Sequence, residues 1–207
     1  MDKLNFEYQY NSSEPAWQNQ YLLDPLEKIV LSENLDDKRI FEVGCGNGTT
    51  ANMLYAHGFE ITAIDPSKSG IKQAKSGYPH IKFEEGSAYD DLANQYGTFP
   101  IVVSLEVVEH VFSPRKYSKT VYELLQPGGV AIISTPYHGY FKNLVIAITG
   151  KFDSHVSPLW DGGHIKFWSQ KTLRSLLEEA GFTSIDFIRV GRIPILAKSM
   201  IAIARKK

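Results

Sequence analysis

The chain has 207 residues, 43% of them hydrophobic and 22% charged, with a formal net charge of −1. That is enough for one substantial core of ordinary globular composition, and the charge gives no general attraction to nucleic acid or to an anionic membrane. The single cysteine, Cys45, excludes an internal disulfide. No apolar run approaches membrane-spanning length, and the first residues lack the apolar centre of a signal peptide. The expectation is one cytoplasmic domain over residues 1–207, of unknown oligomeric state.

Residues 1–15 are polar and aromatic without a clear period. Residues 16–32 carry Trp17, Tyr21, Leu22, Leu26, Ile29 and Val30 at helical spacings. Pro25 falls inside, which allows a kink or two shorter helices. Together, residues 1–35 are expected to form a helical cap whose aromatic stripe packs on a sheet.

The stretch that organises the chain is R-I-F-E-V-G-C-G-N-G-T-T, residues 39–50. An apolar strand ends in Gly44, Gly46 and Gly48, and a helix over residues 49–56 follows. Strand, glycine turn and helix N-terminus form the ligand-binding corner of an open α/β sheet. Glycine permits the sharp turn and leaves no Cβ in a ligand's way, and the helix start offers N–H groups. The dinucleotide fingerprint G-x-G-x-x-G is not met, because the third glycine comes one residue early. Cys45 reads as a small packing residue of the turn rather than a reactive thiol. The second strand, residues 60–65, ends on Asp65, close to the separation at which an acid meets a ribose diol in such corners.

A short helix (68–76), a third strand (81–83) and the almost wholly apolar strand 100–105 follow. That strand runs into E-V-V-E-H, residues 106–110. If this segment is helical, Glu106, Glu109 and His110 stand at i, i+3 and i+4 and share a face. Three roles fit the trio: His110 as a general base, a partial divalent-ion site, or structure. The first is favoured and no resident metal is expected. A helix over 114–125 stops at Pro127-Gly128-Gly129 before strand 130–134. Alternation of strands and helices with short connections implies a mostly parallel, doubly wound sheet of seven strands. Residues 137–166 break the rhythm and are rich in aromatics and histidine, among them His138, His155, Trp160, Asp161 and His164. They read as an acceptor-side lid. A helix over 169–180 and strands near 185–190 and 199–204 complete the count.

E-V-G-C-G-N-G resembles motif I of the class I S-adenosylmethionine (SAM) dependent methyltransferases. L-Q-P-G-G, residues 125–129, is similar to a later motif of the same family. E-V-V-E-H-V, H-I-K-F-W-S and E-E-A-G-F resemble the ubiquinone-biosynthesis O-methyltransferase-like group. The resemblance implies a Rossmann-like fold and SAM as cofactor, with S-adenosylhomocysteine as product. It places Glu42, Gly44, Cys45, Gly46, Asp65, Pro66, Ser87, Ala88, Leu105 and Glu106 around SAM. Many members carry an acid where this chain has Ser87, so adenine falls to Ser87 with backbone groups, or to Asp90. His110, Glu109 and His164 are the implied catalytic residues. The implied reaction is in-line transfer of the methyl to a hydroxyl of a small molecule such as a quinol, phenol or sugar, with no nucleic-acid partner. The alternatives are N- or C-methylation, or a SAM-binding protein without activity.

Overall fold

The computed structural model of the chain describes residues 20–156, 159, 160 and 163–207. In chain order the elements are α1 (Gln20–Ser32), β1 (Arg39–Val43), α2 (Thr49–Ala56), β2 (Glu60–Asp65), α3 (Lys68–Gly77) and β3 (Lys82–Glu85). Next come α4 (Leu92–Tyr96), β4 (Phe99–Leu105), α5 (Pro114–Leu124), β5 (Leu125–Pro136), α6 (Tyr140–Ile148) and α7 (Phe152–Val156). The chain closes with α8 (Gln170–Ala180), β6 (Ser184–Val190), a 3₁₀ turn (Pro194–Leu196) and β7 (Ser199–Arg205). The expectations for residues 1–19, Trp17 included, and for Asp161 lie outside the described residues.

The seven strands form one sheet in the order β3-β2-β1-β4-β5-β7-β6. The first five pair in parallel, and β7 is antiparallel to both β5 and β6. This is the Rossmann-like, mostly parallel sheet expected from the sequence. β4 is buried at every residue but its last, as a parallel strand covered on both faces must be. Alternate side chains serve opposite faces. Ile101, Val103 and Ile132 pack with Leu22, Leu26, Leu54 and Ile71 of α1, α2 and α3. Val102, Ala131 and Ile133 pack with Tyr117, Val121, Leu173 and Leu177 of α5 and α8. Each such aliphatic side chain contributes roughly 1.5–3 kcal/mol.

Helix starts follow the sequence chemistry. Ser67 Oγ accepts the Gly70 N–H at 3.0 Å at the head of α3. Ser169 and Thr172 cap α8 reciprocally, and Gly181, in the left-handed region at φ 112°, ends it. α1 passes through Pro25 as one helix.

Three expectations are corrected. Residues 106–113 do not form a helix: Glu106 has φ 54°, and only a turn, closed by the His110 N–H to the Val107 carbonyl at 2.9 Å, follows it. Pro127-Gly128-Gly129 does not precede the fifth strand but lies within β5, where the register with β4 shifts between Phe99 and Ile101. Residues 137–166 contain two helices, α6 and α7, invisible to a periodicity argument because α6 turns its apolar residues outward.

Strand order reverses between β1 and β4. In open α/β sheets ligands bind outside the carboxyl ends of the strands at that switch point. Here it brings the glycine turn after β1 beside the E-V-V-E-H turn after β4.

Candidate functional site

The glycine corner is held mainly from within. Gly44 has φ 84°, and a Cβ there would meet Val107 Cγ2 at 2.3 Å. A Cβ on Gly48, at φ 82°, would meet Phe83 at 2.7 Å and Ala74 at 2.9 Å. These two glycines answer to turn geometry and neighbouring side chains. The donors of the turn also point inward. The Gly44 and Cys45 N–H groups bond the Ile64 carbonyl at 2.8 and 2.9 Å. The Gly46 N–H donates to Asp65 Oδ2 at 2.8 Å, and the Ser67 N–H to Asp65 Oδ1 at 2.8 Å. Asp65 therefore ties the end of β2 to the glycine turn. Sequence spacing put the carboxylate at the end of β2 but did not reveal this bracing.

Cys45 is buried in the core cluster behind the turn, and its thiol is pushed well up by burial and then by Glu42, which fits the packing expectation. Glu42 is 1% exposed, and its Oε2 has no hydrogen-bond partner. Burial first, then the Asp65 charge, raises its pKa to about 8. Pro66 is exposed beside the buried Ser67. Ser87 shapes its own loop, its N–H donating to Asp90 Oδ2 at 2.7 Å and its Oγ accepting the Tyr89 N–H at 3.2 Å. Ala88 and Leu105 are half-buried against the two core clusters.

The turn after β4 divides its two glutamates. With its backbone in the left-handed region, Glu106 turns to the sheet: Oε1 accepts the Ser134 hydroxyl at 2.7 Å and Oε2 the Ser199 hydroxyl at 3.3 Å. Tyr21 Oη shares a 2.7 Å hydrogen bond with Ser199 Oγ, so α1 joins the same polar chain. Burial raises the Glu106 pKa to about 7 against the pull of both serines. Glu109 goes elsewhere. It is 1% exposed and both carboxylate oxygens lack a hydrogen-bond partner. His110 Nε2 stands 4.0 Å and His164 Nε2 3.9 Å from Glu109 Oε1. Burial and then Glu106 push Glu109 well above the usual carboxylate range.

His164 reaches this point because residues 163–168 are clasped onto the turn. The Ile165 and Lys166 N–H groups both donate to the Glu109 carbonyl at 3.0 Å. Trp168 Nε1 donates to the Val108 carbonyl at 3.1 Å, and Tyr137 bridges Trp168. His110 Nδ1 lies 3.1 Å from the Gly163 carbonyl. A carbonyl only accepts, so Nδ1 carries the proton and Nε2 is the lone-pair nitrogen of the neutral ring. Burial, then His110, His138 and His155, hold the His164 pKa down to about 4. Trp160 completes the cluster, with ring centroids 5.6 Å from His110 and 5.3 Å from His164.

The three expected catalytic residues thus meet. The third metal-capable group beside Glu109 and His110 is His164, not Glu106, and the three ligand atoms lie within 4.8 Å of one another. Edges of about 3.0–3.4 Å follow from metal–ligand bonds near 2.1 Å, so the set fits a divalent ion after a small contraction. His155 sits apart, its ring 5.3 Å from that of His138. The sequence reading missed Lys142, a buried lysine on α6. Its signal was a lone cation in the otherwise apolar run Y-F-K-N-L-V-I-A-I.

Solved structures with this architecture carry methyltransferase chemistry. Magnesium protoporphyrin IX methyltransferase of Synechocystis PCC 6803, solved with bound S-adenosylhomocysteine, superposes with a TM-score of 0.68 at 20% identity, covering 90% of this chain and 82% of that one. Fold and family match together define a methyltransferase. A family model described as a methyltransferase domain matches residues 16–186, and the chain belongs to that family. The chain is similar to the ubiquinone biosynthesis O-methyltransferase of Psychrobacter arcticus, 28% identical over 177 residues, which are 81% of this chain and 68% of that protein. Its counterpart in Caulobacter sp. (strain K31) is 36% identical over 101 residues, 47% of this chain and 40% of that protein. No helix among the described residues is long and apolar enough to cross a membrane.

Proposed function

We propose that this methyltransferase transfers the methyl group to a hydroxyl of a small molecule, within one domain whose lid (residues 137–166) covers the acceptor. The observation that carries the reading is Glu109, a buried carboxyl with both oxygens unpartnered, held between two imidazoles. A hydroxyl acceptor must lose its proton as it is methylated, which a neutral amine attacking through its lone pair does not demand. His110 Nε2, its tautomer fixed by the Gly163 carbonyl, takes that proton. Glu109 beside it passes its own proton to His164 Nε2, 3.9 Å from its Oε1, and as a carboxylate stabilises the imidazolium. The names of the similar proteins from Psychrobacter and Caulobacter also point to oxygen.

SAM supplies a sulfonium-bound methyl that needs little further activation, so orientation is what the protein adds. The corner fits its ends. Asp65, a carboxylate at the end of β2 beside the glycine turn, is the acceptor for a ribose diol, and the orphaned Glu42 Oε2 suits the amino-acid end, directly or through water. Replacing Asp65 by Ala removes both functions at once. It leaves the Gly46 and Ser67 N–H groups unsatisfied, at about 1–3 kcal/mol each, and takes away the ribose acceptor. Calorimetry should show S-adenosylhomocysteine affinity reduced at least about tenfold, with a lower melting temperature. Unchanged affinity would sink the assignment.

A second reading has its own observation, the convergence of Glu109, His110 and His164 within ligand range. A divalent ion held there would bind the acceptor oxygens and lower their pKa. Exhaustive chelation followed by Mg²⁺, Mn²⁺ or Zn²⁺ separates the two, read as tritiated methyl transfer into a cell extract. Full activity in chelator, lost in His110→Ala, is the expected result and favours the base. Activity restored only by an ion favours the metal. In either case His164→Ala should lower turnover and spare cofactor affinity. Label in a nitrogen- or carbon-linked product would overturn the hydroxyl reading.

A further inference from the structure

Helix α6 is built inside out. Of its nine residues only Lys142 is buried, at 8% exposure, while Tyr140, Phe141, Leu144, Val145 and Ile148 face solvent. Surface helices ordinarily do the reverse, and an ammonium taken out of water is costly unless it meets an anion. Lys142 meets none in the described residues. Its Nζ donates one hydrogen bond, to the Lys198 carbonyl at 3.1 Å, which leaves two of its three donors unused among the described residues. The one carboxylate near enough to act on it is Glu106, and both Glu106 oxygens are already engaged by Ser134 and Ser199.

The surroundings add positive charge. Arg192 acts on Lys142 as a like charge and, after burial, helps bring its pKa down to about 8. His138 and His155 also feel Lys142, and burial followed by that charge lowers both. The same two histidines act on His164 of the cluster at Glu109. The buried lysine therefore sits on a helix that reaches these imidazoles, His138 Nδ1 lying 3.3 Å from Asn143 Oδ1 and its ring 5.3 Å from that of His155. Glu106, whose carboxyl is partly neutralised by burial, does not balance the two cations.

We propose that Lys142 binds an oxyanion carried by the methyl acceptor, so that the substrate class is an acidic hydroxylated small molecule, a carboxylate or a phosphate ester. The proposal rests on the hydroxyl-methylation reading above. The anion is the anchor and the hydroxyl the reacting group: the O–H bond breaks and its proton passes to His110, the O–CH₃ bond forms as the S–CH₃ bond of SAM breaks, S-adenosylhomocysteine leaves, and the anion is unchanged.

The test uses the full chain loaded with S-adenosylhomocysteine and labelled with ¹³C-lysine, with the Lys142 Cε signal assigned by its absence in Lys142→Arg. Benzoate and methyl phosphate should each move that signal saturably, and benzyl alcohol should not. The probe that saturates at lower concentration identifies the anion class. No movement with either anion overturns the proposal. Calorimetry on Lys142→Met should show S-adenosylhomocysteine affinity within about twofold of wild type. A loss of tenfold or more would assign Lys142 to the carboxylate of the cofactor and also overturn it. The third arm concerns the product. Tritiated material made from extract should bind an anion-exchange resin, and Lys142→Met should raise KM for the extract acceptor at least about tenfold, with Lys142→Arg in between. Label in the unbound fraction refutes the anion. If wild type labels nothing, the methylation reading fails, while the first two arms still decide the role of Lys142.

Discussion

Glu109→Gln should lower methyl transfer by about 100-fold or more, the scale of lost acid–base assistance, and leave S-adenosylhomocysteine affinity within about twofold. The side chain keeps its shape, so the argument concerns protons. In the wild type a carboxyl lies 3.9 and 4.0 Å from the two imidazole Nε2 atoms, and it can pass its proton to His164 when His110 becomes charged. The amide cannot become an anion, and its NH₂ donates to imidazole lone pairs, so it holds the rings in the state least able to take a proton. Folding should tolerate the change, because a buried carboxyl with two unpartnered oxygens is exchanged for a neutral group with donors of its own. The measurements are steady-state turnover and calorimetry on one preparation. Turnover within about threefold of wild type would show that the acceptor is activated elsewhere.

How much of this site was readable in the sequence depends on the kind of signal. The corner at residues 39–50 was legible because local geometry writes it: a strand, glycines at positive φ and a helix start are consecutive residues. The mostly parallel, doubly wound sheet was legible because alternating strands and helices with short connections leave few topologies. His164 could be placed on the acceptor side, since a long aromatic insertion after a sheet strand opens onto the ligand crevice. Its pairing with Glu109 could not, because it rests on two backbone hydrogen bonds joining residues 165 and 166 to residue 109, and no spacing rule reports those. The helical reading of 106–110 failed on one dihedral angle. Glu106 at φ 54° is held by the Ser134 and Ser199 hydroxyls, partners 28 and 93 residues away that the local pattern does not contain. Lys142 was missed for a related reason. Periodicity names the apolar face of a helix and assumes that this face is the buried one, and α6 reverses the assumption.

Glu42 carries the largest expected effect on stability. It is 1% exposed at the end of β1, and burial, followed by Asp65, raises its pKa from 4.5 to about 8. A carboxyl that holds its proton more tightly when folded contributes its full stability below pH 4.5, where both states are protonated. That contribution is lost as pH rises through the folded value, because the unfolded chain ionises first. Each unit of displacement is worth about 1.4 kcal/mol, so the ligand-free protein should lose on the order of 3–5 kcal/mol from this group between pH 4.5 and pH 8. Glu42→Gln removes the slope. Denaturant unfolding in the absence of cofactor should give similar midpoints for the two proteins near pH 4.5 and a clear advantage for the variant at pH 8.5. Cofactor affinity should move the other way, since a neutral amide cannot answer the ammonium of the amino-acid end. Binding of S-adenosylhomocysteine to wild type at pH 7 should release protons as the Glu42 carboxyl ionises against that ammonium, and the variant should release fewer. Calorimetry in buffers of different ionisation enthalpy counts those protons. Parallel stability curves from pH 4.5 to 8.5, or equal proton release, would show that Glu42 does not titrate in this range and that its orphaned oxygen is satisfied by water alone.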